Sequence, residues 1–506
     1  MKPTYVAALS ALGMLLSSVT VYSITAPPGA VTSGAVPEAT TGPEVAGDAP
    51  AQARGNITRG SDLMVEGRVG HPRLVRGGNG ETYVMLEVRG ADHPGASRPA
   101  AANLALVIDR SGSMKGNRIR NALTAATTAV DRLSDGDVVS VIAFDTRTEI
   151  VVPPTPIHPH TREGINARIR SIALGGDTCI SCGLDAAMAQ LAETSGKVSR
   201  VLLLSDGDAN HGVRDVAGFR GLAQRAQARG VSVTTIGVDV DYNERIMTAL
   251  AQDSNGRHYF VANAEALPRI FELEAESLGR TLASEAEATI DLAPGVELDR
   301  VYDRAFRRNG SQVIVPLGSF AGAEVKTVLL KVRAPSGADG VVPVAEVDVA
   351  YHDAAGGSAS HVHGQLSTEI VADPAQASAL DAQVSGRLER SETAAVLQDA
   401  NTLFERGQLD EAKKRLQARE DALRTVAAEA KRAAPAKVAR QVDADFERQL
   451  AAVGDANQVF QQPEFATPPP SPHAAPPAAP RAVTADSRAG KSARKQNASR
   501  ALDMGF

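Results

Sequence analysis

The 506-residue chain has no tryptophan, and aromatic residues make up only 4% of it. So few rings argue against a surface built on stacking with bases or sugars. There are only two cysteines, too few for a zinc site made of cysteines alone. No charge of one sign dominates. The formal net charge of −6 is spread along the chain, which speaks against a nucleic-acid binder. No Walker-type loop and no Ser/His/Asp grouping is evident, so no catalytic residue is assigned and an enzyme is not expected. What remains is 43% hydrophobic and 22% charged residues, an ordinary globular balance, in a chain long enough for several domains.

The chain starts with "MKPTYVAALSALGMLLSSVTVYSITAPPGA", one lysine followed by an apolar run from Tyr5 to Ile24. A signal peptide has this layout, and the run is also nearly long enough to span a bilayer. Residues 1–26 are therefore expected to direct export, with a single N-terminal membrane anchor as the alternative. Either places the protein in the periplasm or cell envelope, or outside the cell. Residues 27–60 are rich in Ala, Pro, Gly and Thr and read as a disordered linker. Residues 61–100 contain strand-like segments such as "TYVMLEVRG".

Between 101 and 284, apolar strands ("LALVID", "DVVSVIAF", "SRVLLLSDG", "VSVTTIGV") alternate with helical stretches. This rhythm predicts an α/β fold, a doubly wound and mostly parallel sheet with helices on both faces. Residues 285–375 return to strands broken by Gly, Pro and Asn, and read as an antiparallel β-sandwich. The strands of 61–100 fit the same sandwich, with the α/β domain inserted between them. Residues 376–455 predict a helical hairpin turning near Gly407. Its "ANTLFERGQLDEA" resembles a single tetratricopeptide-type unit, and one copy makes no array. Residues 456–506, Pro/Ala-rich and then basic, read as a disordered tail.

The chemistry concentrates in three loops. "VIDRSGSMKGNRI" places Asp109, Ser111 and Ser113 at alternate positions after a buried strand. Such a loop can aim three oxygens at one point, and oxygen donors suit a hard cation. "VLLLSDGDAN" supplies a second carboxylate, Asp206, and "GGDTCISCGLD" offers Thr178 in a loop loosened by Gly175 and Gly176. A helix N-cap explains the first motif alone but not the other two pieces. Asp145 and Asp208 also end strands on this rim and read as supporting or surface residues.

With Asp109-Arg110-Ser111-Gly112-Ser113, Thr178 and Asp206-Gly207 in this order, the stretch 101–284 resembles the von Willebrand factor A-type domain and its metal-ion-dependent adhesion site. The resemblance implies a metal held directly by Ser111 and Ser113, conditionally by Thr178, and through water by Asp109 and Asp206. It implies Mg²⁺, with Mn²⁺ and Ca²⁺ as alternatives, and a protein partner that completes the shell with an acidic side chain. The longer stretch also looks like bacterial exported proteins that carry this domain between β-rich flanks.

Cys179 and Cys182, spaced C-x-x-C before a helix, admit a disulfide, unpaired packing, or thiol–disulfide exchange. The exchange reading is one alternative for the whole protein, and a structural role in envelope assembly is another. His361 and His363 alternate, close to His352, and share one side of a strand. Solvent-facing imidazoles are the plain reading there, and a second metal site is the other.

Overall fold

The described part of the chain opens with three strands, β1 (Leu63–Val69), β2 (Arg73–Val75) and β3 (Glu81–Gly90). This computed structural model describes residues 62–92, 101–194, 197–354, 357–461, 463–464, 481–482 and 484–505. The expected leader and linker of residues 1–60 lie outside the described residues. Among the described residues no helix is long and apolar enough to cross a membrane.

After β3 comes the α/β region. In chain order it contains β4 (Ala102–Asp109), α1 (Asn117–Arg132), β5 (Val138–Phe144), β6 (Thr148–Pro156), α2 (Pro159–Arg170) and α3 (Ile180–Ala192). It continues with β7 (Val198–Ser205), α4 (Val216–Gln227), β8 (Ser232–Val238), α5 (Glu244–Asp253), β9 (His258–Val261) and α6 (Leu267–Gly279). The strand order is β6-β5-β4-β7-β8-β9, parallel except for β6 at the edge. Every residue of β4, β5 and β8 is buried, as central strands are when helices cover both faces. Alternation along β4 sorts the two faces. Leu104, Leu106 and Ile108 pack with α1, α2 and α6, whereas Ala105 and Val107 pack with α3, α4 and α5. The chain leaves β4 toward β5 on one side and leaves β7 toward β8 on the other. The gap at the carboxyl ends of β4 and β7 is therefore a topological switch point, where doubly wound sheets open a crevice.

The chain then builds β10 (Thr281–Leu292), β11 (Glu297–Val301), β12 (Arg307–Asn309), β13 (Gln312–Ala321), β14 (Val325–Arg333), β15 (Gly340–Asp353) and β16 (Ala359–Val371). These strands form a sandwich with the first three, in the orders β1-β3-β14-β11 and β12-β13-β10-β15-β16-β2. The α/β domain is thus inserted between β3 and β10. β3 pairs antiparallel with β14, Leu86 opposite Val328, across the insertion. Leu86, Val88, Ile290, Val315, Val328 and Val349 share the core between the two sheets.

Among the described residues, four helices follow the sandwich: α7 (Ala382–Glu405), α8 (Leu409–Ala433), α9 (Ala436–Gln461) and α10 (Arg488–Gly505). The turn between α7 and α8 falls at Gly407, whose φ of +74° suits glycine. α7 lies on the sandwich, with Val384 among Tyr83, Met85, Tyr302 and Leu329. Its buried Arg387 donates to Thr327 Oγ1 at 2.6 Å and to Asp303 Oδ2 at 2.9 Å.

The structure departs from the expected hairpin and disordered tail. α9 adds a third long helix, and residues 488–505 are helical rather than irregular. The basic residues of the tail recur at helical spacing and meet acidic groups of the α/β domain. Arg488 pairs with Asp239 at 2.6 Å, Lys491 with Asp241 at 3.1 Å and Lys495 with Glu244 at 2.8 Å. A charged, alanine-rich segment of this kind gains its helix from partners distant in sequence.

Candidate functional site

Backbone hydrogen bonds tie the three loops together before any side chain is considered. Gly175 N donates to Arg110 O at 2.7 Å and Gly112 N to Gly176 O at 3.0 Å. Thr178 N donates to Asn210 Oδ1 at 2.8 Å, while the N–H groups of Asn210 and His211 return to Thr178 O. The loops after β4 and β7 and the loop into α3 therefore hold one another at the switch point.

All five oxygen-bearing residues singled out from the sequence stand on these loops. Asp109 and Asp206 are fully buried, Ser111 and Thr178 are nearly so, and Ser113 is exposed and opens the group to solvent. Ser111 Oγ and Ser113 Oγ lie 3.0 Å apart, and Ser113 Oγ donates to Asp206 Oδ1 at 2.6 Å. Asp109 accepts from Ser111 N at 2.8 Å and from Ser205 Oγ at 2.5 Å. Gly207 reveals how close the third loop comes. A Cβ added there would sit 3.2 Å from Thr178 Oγ1 and 3.5 Å from Ser113 Oγ.

The electrostatics are those of buried acids. Burial pushes the Asp109 carboxyl up to about 6, against the hydrogen bonds from Ser111 and Ser205. Its hydrogen-bond partners are neutral hydroxyl and amide groups. Burial also raises Asp206, partly offset by Ser113 and by the guanidinium of Arg118. Arg118, on the first turn of α1, donates to Asp206 Oδ2 at 2.6 Å, to Ser113 O at 3.0 Å and to Asp239. Asp145 behaves otherwise. Burial acts to raise its carboxyl, but the Arg147 N–H and the Arg110 guanidinium outweigh this and hold it below the usual range. Gly175 makes that position workable, since a Cβ on it would fall 1.6 Å from Asp145 Oδ2. Asp208 lies exposed and accepts from Asn243 at 3.0 Å. The donor set at the centre is all oxygen, with two carboxylates and three hydroxyls, which is chemistry suited to a hard cation rather than a soft one.

Cys179 and Cys182 are joined as a disulfide across the first turn of α3. Gly212 lies over it with φ +67°, so close that a Cβ would meet Cys179 Sγ at 2.8 Å and Ser181 Oγ at 2.3 Å. Ser205, Arg118, Asn210 and Asp239 escaped the sequence reading. Ser205 adjoins Asp206 and Arg118 closely follows the serine motif, so both had a local signal. Asn210 and Asp239 are placed only by the fold.

Residues 103–273 match the von Willebrand factor type A domain. This segment is a von Willebrand factor type A domain. The chain is 26% identical to the uncharacterized protein sll0103 of Synechocystis sp., over 60% of this chain and 73% of that one. It is 27% identical to the uncharacterized protein YfbK of Escherichia coli, over 42% of this chain and 37% of that one. It thus spans less than half of the Escherichia coli relative. Among solved structures, a von Willebrand factor type A protein from Catenulispora acidiphila superposes with a TM-score of 0.65 at 17% identity. That match covers 78% of this chain and 91% of the other, so the shared fold extends beyond the type A domain into its surroundings.

Proposed function

We propose that the protein is an exported or membrane-anchored binding module whose type A domain grips a partner protein through a divalent metal, Mg²⁺ or a close relative such as Mn²⁺ or Ca²⁺. The observation that carries this reading is the convergence of Ser111, Ser113 and Thr178 hydroxyls with the buried Asp109 and Asp206 at the switch point. The donor set fits such an ion. Asp109 is a buried carboxylate with only neutral hydrogen-bond partners, and a cation nearby offsets the cost of keeping it charged. Ser111, Ser113 and Thr178 would hold the metal, with Asp109 and Asp206 anchoring that shell from beneath. The ion supplies a positive centre that attracts an acidic side chain of the partner. The leader-like residues 1–26 support export, and the disulfide is compatible with an oxidising compartment.

The covered disulfide favours a brace over thiol–disulfide exchange, because Cys179 is buried beneath Gly212. The test is Mn²⁺ binding to the full chain, followed by the relaxation of bound water. Ser113→Ala removes one donor and the hydrogen bond that orients Asp206, and is expected to weaken binding at least about tenfold. Unchanged affinity in a folded Ser113→Ala protein refutes the reading.

A further inference from the structure

The outer face of the sandwich carries a second, chemically different group of donors. On β16, His361 and His363 alternate, so both rings leave the same side of the strand. The antiparallel register sets Asp348 of β15 directly opposite His363, and Ala350 opposite His361. Both imidazoles turn their Nδ1 atoms toward that one carboxylate. His361 Nδ1 lies 3.2 and 3.1 Å from the two Asp348 oxygens, and His363 Nδ1 lies 3.0 Å from Oδ1. The rings stack with centroids 5.7 Å apart and planes inclined by 6°. One ligand atom from each of the three residues lies within 4.8 Å of the other two.

We infer that Asp348, His361 and His363 form a binding site for a divalent transition metal, with Zn²⁺ the ion we commit to. Two imidazole nitrogens are borderline donors, and the carboxylate oxygen is a hard one that zinc also accepts. They suit Zn²⁺, Ni²⁺ or Cu²⁺, whereas Mg²⁺ and Ca²⁺ prefer all-oxygen shells. Tetrahedral zinc with bonds of about 2.0–2.1 Å keeps its donor atoms roughly 3.3 Å apart. The nitrogen–oxygen spacings here are already close to that, so little side-chain movement is needed. Without metal, each neutral ring donates its Nδ1 proton to Asp348. Metal binding at Nδ1 leaves that ring's proton on Nε2 instead.

The backing is rigid. β15 is flanked by β10 and β16, and Val347, Val349 and Val362 point the other way into the sandwich core. The side chains of His361 and His363 are 50% and 70% exposed, so at least one coordination position faces solvent, to be filled by water or by a donor from another molecule. This site does not depend on the reading of the type A domain, since it uses none of its residues.

The test is Zn²⁺ titration of chelator-treated full-length protein against a chromophoric competitor, with excess Mg²⁺ present to fill any all-oxygen site. One equivalent is expected in the wild type, with two imidazole nitrogens in the X-ray absorption spectrum. His361→Ala, His363→Ala and Asp348→Asn should each weaken binding at least about tenfold. His352→Ala, on the same face but outside the cluster, and Ser113→Ala should bind like the wild type. Because the histidines are exposed, circular dichroism should show the variants folded. The inference is overturned if the wild type binds no zinc. It is also overturned if the His361→Ala/His363→Ala double variant keeps its affinity, or if His352→Ala or Ser113→Ala abolishes it.

Discussion

His258 should make the type A domain sensitive to acid. It is buried on β9, and both ring nitrogens are engaged: Nδ1 with Thr235 Oγ1 at 2.9 Å and Nε2 with the Tyr242 hydroxyl at 3.2 Å. Thr235 already donates its hydroxyl proton to Met247 O, so His258 Nδ1 carries the proton and Nε2 accepts from Tyr242. A second ring proton breaks that arrangement. Burial, helped by the nearby Lys495 ammonium and opposed by Glu244, lowers the imidazole from 6.5 to about 3. Because the folded value is depressed, the stability tied to the neutral ring is fully present above pH 6.5. It is lost as pH falls from 6.5 toward 3, where the unfolded chain takes up a proton that the folded chain refuses. At about 1.4 kcal/mol per unit, the loss is about 2 kcal/mol at pH 5 and about 4 kcal/mol by pH 3. Urea unfolding at pH 7.5 and pH 5.0 reads the first interval. His258→Asn should be less stable at pH 7.5, yet lose about 2 kcal/mol less than the wild type on acidification. Lys495→Met removes the nearby charge that helps lower the imidazole, so it too should flatten the slope. An NMR titration should find the His258 ring neutral at pH 5. Equal acid losses in wild type and His258→Asn, or a ring titrating near 6.5, refute the reasoning.

Two further outcomes follow from the loops around the candidate site. Gly175→Ala forces a Cβ into the Asp145 carboxylate, so the variant should lose about 1–3 kcal/mol of stability and bind Mn²⁺ more weakly. An unchanged melting temperature contradicts this. Reduction of the Cys179–Cys182 disulfide releases the brace directly after Thr178 and should weaken Mn²⁺ binding several-fold, while the short loop it closes adds little to stability. Equal affinities with and without reductant leave the pair as packing.

The α/β domain is legible in sequence because its central strands are buried on both faces and so read as unbroken apolar runs. The loop residues Asp109, Ser111, Ser113, Thr178 and Asp206 are legible because each lies just past such a run or beside flexible glycines. What sits around them is not. Asp239 has positive φ without being glycine, and it receives Arg118 from α1 and Arg488 from α10. Nothing local announces either partner. α10 is the sharpest case. Its composition reads as a solvated basic tail, yet Lys495 is buried, with its ammonium 4.0 Å from the Tyr242 ring centre and 2.8 Å from Glu244. α10 joins charges some 250 residues away, and the apolar part of its buried face, Ala493, Ala501 and Met504, is mostly alanine and interrupted by polar groups, so it makes only a faint stripe to read.

The insertion between β3 and β10 has a consequence for the order in which the molecule is made. A nascent chain emerges from its N-terminal side, and domains fold as units as they appear. β3 can pair with β1 at once, Leu86 opposite Gly67, but its other edge stays open until Val328 of β14 has been synthesised. The type A domain needs nothing beyond α6 to complete its own sheet and both helical layers. It can therefore close on the ribosome while its host is still half a sandwich. α10 reverses the sequence of events, since Arg488, Lys491 and Lys495 reach Asp239, Asp241 and Glu244 only after the sandwich strands and α7 to α9 have been made. The rim beside the candidate site is thus built before the sandwich closes and finished after it. A chain cut short before Arg488 would keep the oxygen constellation and the Arg118–Asp239 pair, but would lose the lysines that meet Asp241 and Glu244.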